Sequence, residues 1–293
     1  MKGIRARLAR GLRRLGCRTR PAFMIVGAQK GGTVPLRRYL PAHPRVIGPQ
    51  AAREVHFFTQ DLLYRQGMTW YSQFFPLPHR LRGGKQTFEC TTSYMYYPKA
   101  PQRIHRHMPH VKLIVLLREP IGRAFSAWNM FRHFHAAPDQ IVPVWPRQFD
   151  PSVFEAHMSF ISRDPFPDFA TAVTEELGGN AGDGEIDLPG LVGRGYYHEQ
   201  LARIFSIFKR DQVLVLESSQ LQSRTREILD QVVDFLGLPR FEWPDHVLVP
   251  HNTREYINTI DSKTRSMLTE VFRPHNERLF ELLGVDLGWN RTP

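Results

Sequence analysis

The segment FMIVGAQKGGTVPL, residues 23–36, joins an apolar run to a glycine-rich turn that carries one lysine. The pattern predicts a buried strand, a loop and the start of a helix, and such a loop presents backbone N–H groups that favour phosphate. Gly27 and Gly32 have the spacing of the pattern G-x-x-x-x-G-K-[ST]. However, Thr33 directly follows the second glycine, and Lys30 lies inside the loop. Two interpretations follow: a phosphate-binding loop with a displaced lysine, or a plain tight turn.

Short apolar stretches alternate with helical stretches along the rest of the chain. Strands are predicted at residues 22–27, 85–90, 112–118 and 211–217. The stretch KLIVLLR lacks polar alternation, which is typical of a strand buried on both faces. Helices are predicted at residues 34–44, 98–109, 120–134, 196–208, 225–238 and 262–284. We therefore expect an α/β fold of the P-loop type, with three layers and a mostly parallel central sheet covered by helices on both faces.

Two segments do not follow this alternation. His135 to Asn180 is rich in prolines and aromatic residues and is predicted to be irregular or an insertion. The stretch GGNAGDGEIDLPG, residues 178–190, is rich in glycine and acid and is predicted to be a mobile loop. Variable loops of this kind commonly select the substrate, so the sequence does not define an acceptor.

The positive charge of the chain is concentrated at its start. The 293 residues include 39 basic and 28 acidic side chains, a formal charge of +11, and eight of these excess charges lie in the first 20 residues. We predict a basic tail at 1–20 and a single domain at 21–293. Apolar residues recur in the tail at helical spacing: Ile4, Leu8, Leu12 and Leu15. The tail is therefore interpreted either as an amphipathic helix that binds an anionic membrane surface or as a frayed, solvated segment.

The cysteine count and the hydropathy pattern bear on location. The chain has two cysteines, Cys17 and Cys90, and they suggest no disulfide framework. Its apolar runs are shorter than the ~18 residues that a membrane span needs, and no secretory apolar region follows the basic start. We therefore expect a cytoplasmic protein that is soluble or peripheral to the membrane.

Arg118 ends the predicted strand at the position where a P-loop kinase or NTPase would carry a magnesium-binding acid. A basic residue there suits a second anion, so Lys30 and Arg118 together predict a ligand with phosphates at two positions. Pairing of Arg118 with Glu119 is the alternative. The histidines show no ligand spacing, so no metal site is predicted. A nucleic-acid or membrane-surface binding protein is a third class, disfavoured because the body has no basic-aromatic patch.

Several ordered motifs resemble those of the PAPS-dependent sulfotransferases, in particular the branch of heparan sulfate sulfotransferases and their bacterial relatives. The matching stretches are FMIVGAQKGGT (23–33), REVHFF (53–58), FECTTSYM (88–95), LIVLLREPIGRAFSAW (113–128), NTREY (252–256) and RPHNERLFELLG (273–284). The resemblance implies transfer of a sulfuryl group from PAPS, 3′-phosphoadenosine 5′-phosphosulfate. The acceptor would be a hydroxyl, or secondarily an amine, of a carbohydrate or another small molecule.

The resemblance also implies roles for the residues that match. The 5′-phosphosulfate group would be bound by the first loop, which comprises Lys30, Gly31, Gly32 and Thr33. The 3′-phosphate would be bound by Arg118 and Ser126, and Arg254 would close over the nucleotide. Glu54 has the position of the general base, and His56 that of a nearby substrate-site histidine. Lys30 would also stabilise charge that develops on the departing phosphate oxygen.

Structural interpretations stand beside these roles. Glu54 would otherwise be a surface acid, His56 a hydrogen-bonded core histidine, and Ser126 a helix serine bonded to a carbonyl. The chain also departs from the heparan sulfate branch, which has a lysine at the position of Cys90 and an aspartate at that of Thr59. These differences leave the implied use of the nucleotide untouched but weaken the prediction of heparan sulfate itself as the acceptor.

Overall fold

Five parallel strands form one sheet in the computed structural model, which describes residues 18–48, 54–138, 149–179, 189–249 and 259–290. The strands are β1 (Phe23–Gly27), β2 (Val46–Ile47), β3 (Gln86–Cys90), β4 (Lys112–Leu117) and β5 (Val213–Glu217). Their order across the sheet is β2-β3-β1-β4-β5. All recorded pairings are parallel, and β1 pairs with both β3 and β4. The carboxyl ends of these three neighbouring strands therefore lie side by side.

The described residues contain the six predicted helices in the predicted order and five helices that were not predicted. They are α1 (Thr33–Tyr39), α2 (Asp61–Tyr64), α3 (Gly67–Ser72), α4 (Lys99–His107), α5 (Pro120–Ala136), α6 (Pro151–Ile161), α7 (Phe169–Gly178), α8 (Tyr197–Phe205), α9 (Ser218–Ser223), α10 (Thr225–Leu236) and α11 (Ser262–Leu283). Gly284 ends α11 with φ 69°, a left-handed conformation that glycine adopts without a steric penalty. The first predicted helix, 34–44, is shorter than expected, because a 3₁₀ turn at Leu40–Ala42 follows α1.

The two faces of the sheet are buried against different helices. Along β1, Met24 and Val26 belong to a core with residues of α4, α8 and α11, whereas Phe23 and Ile25 belong to a core with residues of α1 and α10. This alternation is expected when both faces of a strand are covered. The predicted three-layer α/β fold with a parallel sheet is therefore confirmed.

The prediction of irregular structure between His135 and Asn180 is wrong for much of that segment. α6 and α7 lie there, and the prolines misled the prediction because Pro151 occupies the start of α6, where its missing N–H costs no helical hydrogen bond. Asp168 caps α7, since its carboxylate accepts from Thr171 N–H at 2.7 Å. Both helices bury apolar residues in a third core that packs on α5: Phe160, Ile161, Phe169, Ala172 and Val173.

Several predictions concern residues that the structure does not describe. Residues 1–17 of the predicted tail, most of the predicted mobile loop and Arg254 lie outside the described ranges. The last residues of the tail are described, and they contact the body: Arg18 donates to Ser72 O, Thr19 to Pro76 O and Arg20 to His107 O. Cys90 is buried with a free thiol. None of the helices in the described ranges combines the length and apolarity that crossing a bilayer requires.

Candidate active site

The segments at the carboxyl ends of β1, β3 and β4 are joined by backbone hydrogen bonds at one edge of the sheet. Thr91 N–H donates to Ile25 O at 3.1 Å, and Met95 N–H donates to Val26 O at 2.9 Å. On the other side of β1, Ala28 N–H donates to Leu116 O at 2.8 Å. The carboxyl edge of a parallel sheet is the usual place for a ligand in such folds. The Lys30 loop, the segment after β3 and Arg118 therefore belong to one candidate site.

The Lys30 loop requires glycine at two adjacent positions. A β-carbon on Gly31 would lie 2.3 Å from Leu116 O, which is too close for any side chain. Gly32 has φ 90°, and Lys30 itself adopts a left-handed φ of 66°. Thr33 is buried and begins α1. The backbone therefore approaches the ends of β1 and β4 closely, in the manner of a loop that cradles an anion.

Arg118 lies between β4 and α5, directly before the N-cap residue Glu119, and forms no ion pair with Glu119. The Glu119 carboxylate instead caps α5, accepting from Ile121 N–H at 2.8 Å and from Gly122 N–H at 2.7 Å. The Arg118 guanidinium reaches Gly122, where an added β-carbon would lie 3.6 Å from two of its nitrogens. Ser126 is buried one helical turn beyond Gly122 and on the same face. The structure thus directs Arg118 towards the helix face that carries Ser126.

Glu54 is held by the segment that follows β3. Its Oε1 accepts from Thr92 N–H at 3.1 Å and from the Thr92 hydroxyl at 2.7 Å. The side chain keeps 30% of its surface exposed, so solvent and ligands have access to the carboxylate. Two donors on one oxygen fix the orientation of the carboxylate. Glu54 is therefore an oriented acid at the edge of the sheet.

His56 is buried beside Glu54. Its Nε2 lies 3.4 Å from Glu54 Oε2, and its Nδ1 lies 3.0 Å from Ser93 Oγ. Burial lowers the pKa of His56 below its ordinary value of 6.5, the Glu54 charge opposes this shift, and the Arg194 charge adds to it. A neutral imidazole has one N–H, and the carboxylate can only accept. The partners therefore favour the tautomer in which Nε2–H faces Glu54 and Nδ1 accepts from Ser93.

The backbone around His56 is held in an uncommon conformation. His56 has φ 55°, in the left-handed region that disfavours residues with a β-carbon. Its carbonyl accepts from the Thr59 N–H at 3.2 Å, the Thr59 hydroxyl at 3.0 Å and the Gln60 N–H at 3.1 Å. The Phe149 ring lies 4.8 Å from the imidazole. His56 is thus both a hydrogen-bonded buried histidine and a neighbour of the candidate base.

The sequence alone assigned no role to the hydroxyl residues of the stretch FECTTSYM. Thr91, Thr92 and Ser93 contact the segment 54–56, and a run of polar residues directly after a buried strand was the signal for them. Arg194 was also missed. It is 5% exposed, with its guanidinium 4.3 Å from the centre of the Tyr96 ring. A single arginine in a glycine-rich segment gives no sequence signal for this position.

The comparison with protein families matches residues 20–267 to the sulfotransferase domain family. This match covers most of the chain, from three residues before β1 into α11. The chain therefore belongs to the sulfotransferase domain family, which confirms the resemblance seen in the motifs. In its described residues, no group of three or more His, Cys, Asp or Glu side chains is arranged to hold a metal ion.

Two curated relatives are sulfotransferases that act on heparan sulfate. The human heparan sulfate glucosamine 3-O-sulfotransferase 6 is 28% identical over 300 residues, covering 94% of this chain and 75% of the relative. The mouse bifunctional heparan sulfate N-deacetylase/N-sulfotransferase 4 is 27% identical over 292 residues, covering 91% of this chain. The chain spans only 30% of the length of that bifunctional relative.

A solved bacterial structure has the same fold. The sulfotransferase from Alicyclobacillus acidocaldarius aligns with a TM-score of 0.66 and 25% identity, covering 93% of this chain and all of that chain. The family match and the relatives together identify this chain as a sulfotransferase domain.

Proposed function

We propose that this sulfotransferase moves a sulfuryl group from PAPS to a hydroxyl of a carbohydrate, with Glu54 as the general base. The observation that carries the proposal is that the loop after β3, which holds Glu54 through Thr92, is hydrogen-bonded to β1, the strand that leads into the Lys30 loop. Transfer to a hydroxyl needs a base for the acceptor proton and a cationic site for the leaving phosphate. The loop after β1 supplies the cation, and the loop after β3 holds Glu54, which follows β2 in the chain, at the same edge of the sheet.

The residues around the Lys30 loop fit a nucleotide with two separate phosphates. Gly31 lets the loop pack against Leu116 O and Gly32 allows a positive φ, and a loop of this kind can turn its N–H groups towards an anion. Lys30 supplies positive charge in the same loop. Arg118 supplies a guanidinium at the start of α5, and planar guanidinium groups bind phosphate through two parallel hydrogen bonds. When bound, PAPS would supply the sulfuryl group, Lys30 to Thr33 would hold its 5′ end, and Arg118 with Ser126 its 3′-phosphate.

Glu54 would take the proton of the acceptor hydroxyl as the hydroxyl oxygen bonds to sulfur. Thr92 keeps the carboxylate in one orientation before the acceptor arrives, which lowers the entropic cost of reaching a reactive arrangement. His56, neutral because of its burial, would direct its Nε2–H to Glu54 and contact the acceptor. Lys30 and the N–H groups of its loop would stabilise the charge on the departing phosphate oxygen.

A glycan acceptor is supported by the activities of the relatives. One is a 3-O-sulfotransferase and another contains an N-sulfotransferase, and both act on heparan sulfate. We propose a hydroxyl as the principal acceptor group and an amine as the second. Cys90 is buried and uncharged where the heparan sulfate branch has a lysine. We therefore propose a carbohydrate as the acceptor and do not propose heparan sulfate in particular.

An acceptor screen with ³⁵S-labelled PAPS tests the proposal. Hydroxyl-bearing and amine-bearing oligosaccharides would be compared, with Glu54→Gln as the inactive control. Label should move to a hydroxyl-bearing glycan and remain unmoved with the variant. Failure of every acceptor to take label from PAPS, with a folded protein, would refute the proposed function.

The same assay separates this proposal from a kinase or NTPase activity. Arg118 stands where such enzymes hold magnesium through an acid, so we expect turnover to persist in excess EDTA. Loss of turnover in EDTA with recovery on addition of magnesium would favour the kinase-like activity instead.

We further propose that the basic tail brings the enzyme to an anionic membrane surface from the cytoplasm. The proposal is supported by the concentration of positive charge in the first 20 residues and by the apolar stripe in that segment. Nucleic acid is not proposed as a partner, since the body of the chain carries little of the excess charge.

A further inference from the structure

Three consecutive hydroxyl residues hold three consecutive residues of the candidate site. Thr92 donates to Glu54, and Ser93 contacts the His56 ring, as described above. Thr91 completes the set, because its Oγ1 accepts from the Val55 N–H at 3.1 Å. Of these three contacts, only that of Thr91 is made to the backbone, at Val55, which lies between Glu54 and His56. The Thr91 hydrogen bond therefore affects the position of both side chains.

The Thr91 hydroxyl is itself anchored by a buried acid on β3. It donates to Glu89 Oε1 at 2.7 Å. Tyr94 also donates to Oε1, at 2.6 Å, and Tyr71 donates to Oε2. Since the hydroxyl hydrogen of Thr91 points to Glu89, an oxygen lone pair remains for the Val55 N–H. The carboxylate therefore fixes the direction of the hydroxyl.

Glu89 is 1% exposed, and its environment is consistent with this anchoring function. Burial raises the pKa of Glu89 to about 7, the three hydroxyl donors oppose that shift, and the Glu54 charge adds to it. All three hydrogen bonds to Glu89 come from hydroxyl donors, which is the arrangement that a carboxylate acceptor needs.

The segment 54–56 needs the Thr91 hydrogen bond because its backbone conformation is unfavourable. His56 has a left-handed φ of 55°, and the bonds to its carbonyl fix only the side of the segment that follows it. Val55 is buried, so without Thr91 its N–H would have to find another acceptor in an apolar surrounding. The Thr91 contact fixes the side that carries Glu54.

We propose that Thr91, anchored on Glu89, is a positioning residue that sets the place of Glu54 for proton abstraction. This inference rests on the proposed function of Glu54 as the base. Its physical content is a hydrogen-bonded chain from Glu89 through Thr91 to the Val55 backbone, one residue from the carboxylate.

Matched variants isolate this chain. Thr91→Val keeps the shape but removes the hydroxyl, Thr91→Ser keeps the hydroxyl, and Tyr71→Phe removes a different hydroxyl from the same Glu89 carboxylate. At saturating PAPS and acceptor, we expect Thr91→Val to lower the single-turnover rate by roughly ten- to a hundred-fold. Thr91→Ser and Tyr71→Phe should transfer at rates near that of the wild type, and all should bind adenosine 3′,5′-bisphosphate normally. Melting temperatures would show whether Thr91→Val and Tyr71→Phe lose similar stability.

Hydrogen exchange of the Val55 amide gives a readout that does not depend on activity. Exchange should become faster by roughly tenfold or more in Thr91→Val and should change little in Tyr71→Phe. Unchanged exchange of the Val55 amide in Thr91→Val would overturn the inference. This test remains valid even if the wild type transfers no label and the proposed function fails. A normal transfer rate in Thr91→Val would also overturn the inference. An equal loss of rate in Tyr71→Phe with Val55 exchange at the wild-type rate would do the same, because the loss would then not pass through the Thr91–Val55 contact.

Discussion

Thr92 donates both its backbone N–H and its hydroxyl to one oxygen of Glu54, at 3.1 and 2.7 Å. The two residues are 38 positions apart in the chain. The loop that follows β3 thus takes part in orienting the acid, together with the neighbouring His56. A carboxylate held in this way loses little further freedom when a substrate binds.

Replacement of Glu54 by glutamine separates its proposed chemistry from its structural contacts. Glu54→Gln keeps an oxygen that can accept from Thr92 but cannot take a proton from the acceptor. We expect single-turnover transfer to fall by roughly 10²-fold or more, with normal affinity for adenosine 3′,5′-bisphosphate. Glu270→Gln is the control, since Glu270 lies on α11 and pairs with exposed Arg273. A folded Glu54→Gln protein with near-normal transfer would make His56 the leading candidate for the base.

The second phosphate site predicts a preference between nucleotides. Adenosine 3′,5′-bisphosphate should bind the wild type much more tightly than 5′-AMP does, because Arg118 and Ser126 would contact the 3′-phosphate. Arg118→Gln should weaken bisphosphate binding by roughly ten- to a hundred-fold and leave 5′-AMP binding nearly unchanged. Arg132→Gln removes the same charge further along α5 and should change neither affinity. Calorimetry that finds equal wild-type affinities for the two nucleotides would contradict the assignment.

Gly31 has no room for a side chain. Gly31→Ala would place a β-carbon 2.3 Å from Leu116 O, so the Lys30 loop must move away from the end of β4. We expect a loss of about 1–3 kcal/mol in the free energy of unfolding and weaker nucleotide binding. Gly178→Ala is the control, because nothing lies within 4 Å of its added β-carbon. Equal melting temperatures and affinities for Gly31→Ala and the wild type would show that the loop is not packed as described.

His157 should make stability depend on pH. Burial lowers its pKa from 6.5 to about 4, with opposition from a hydrogen bond to Val153 and smaller additions from Arg194 and His56. The unfolded chain therefore binds a proton before the folded chain does, and the free energy of unfolding decreases as pH falls from 6.5 towards 4. The full contribution is about 3 kcal/mol. His157→Gln cannot titrate and should lack this loss.

Denaturant unfolding between about pH 4.5 and 7.5 measures the effect as the difference between wild type and His157→Gln. The difference between the two proteins is needed because Glu89 changes the free energy of unfolding with pH in the opposite direction to His157. Its pKa is raised from 4.5 to about 7, so its contribution to stability decreases as pH rises through that interval. Stability curves that stay parallel for the two proteins would contradict the assignment to His157.

The basic tail should bind anionic vesicles. The residues to delete are 1–17, because Arg18, Thr19 and Arg20 make hydrogen bonds to the body of the protein. Full-length protein should sediment with phosphatidylserine-containing vesicles, less so at high salt, and the truncated protein should remain in solution. Transfer by the truncated protein should be normal. Identical sedimentation of the two proteins would rule out the tail as an anchor.

The sequence by itself determined the order and type of most elements. Continuous apolar runs predicted β1 and β4, since a strand covered on both faces has no polar alternation. The Lys30 loop was also found from sequence, because glycines and a lysine between a strand and a helix form a local pattern. Local signals failed between 151 and 178, where proline at the start of a helix was taken as evidence of irregular structure.

Only the tertiary structure decided which loops meet. The order β2-β3-β1-β4-β5 places β1 between β3 and β4, and this order follows from long-range packing that no local pattern encodes. It brings the Thr91–Ser93 stretch to Glu54 and His56 and places Arg118 beside the Lys30 loop. Glu119 illustrates the same limit, because sequence adjacency suggested a pair with Arg118, whereas the carboxylate caps α5. Helix and strand periodicity is a property of neighbouring residues, but the hydrogen bonds that orient a candidate base depend on the packing of the whole sheet.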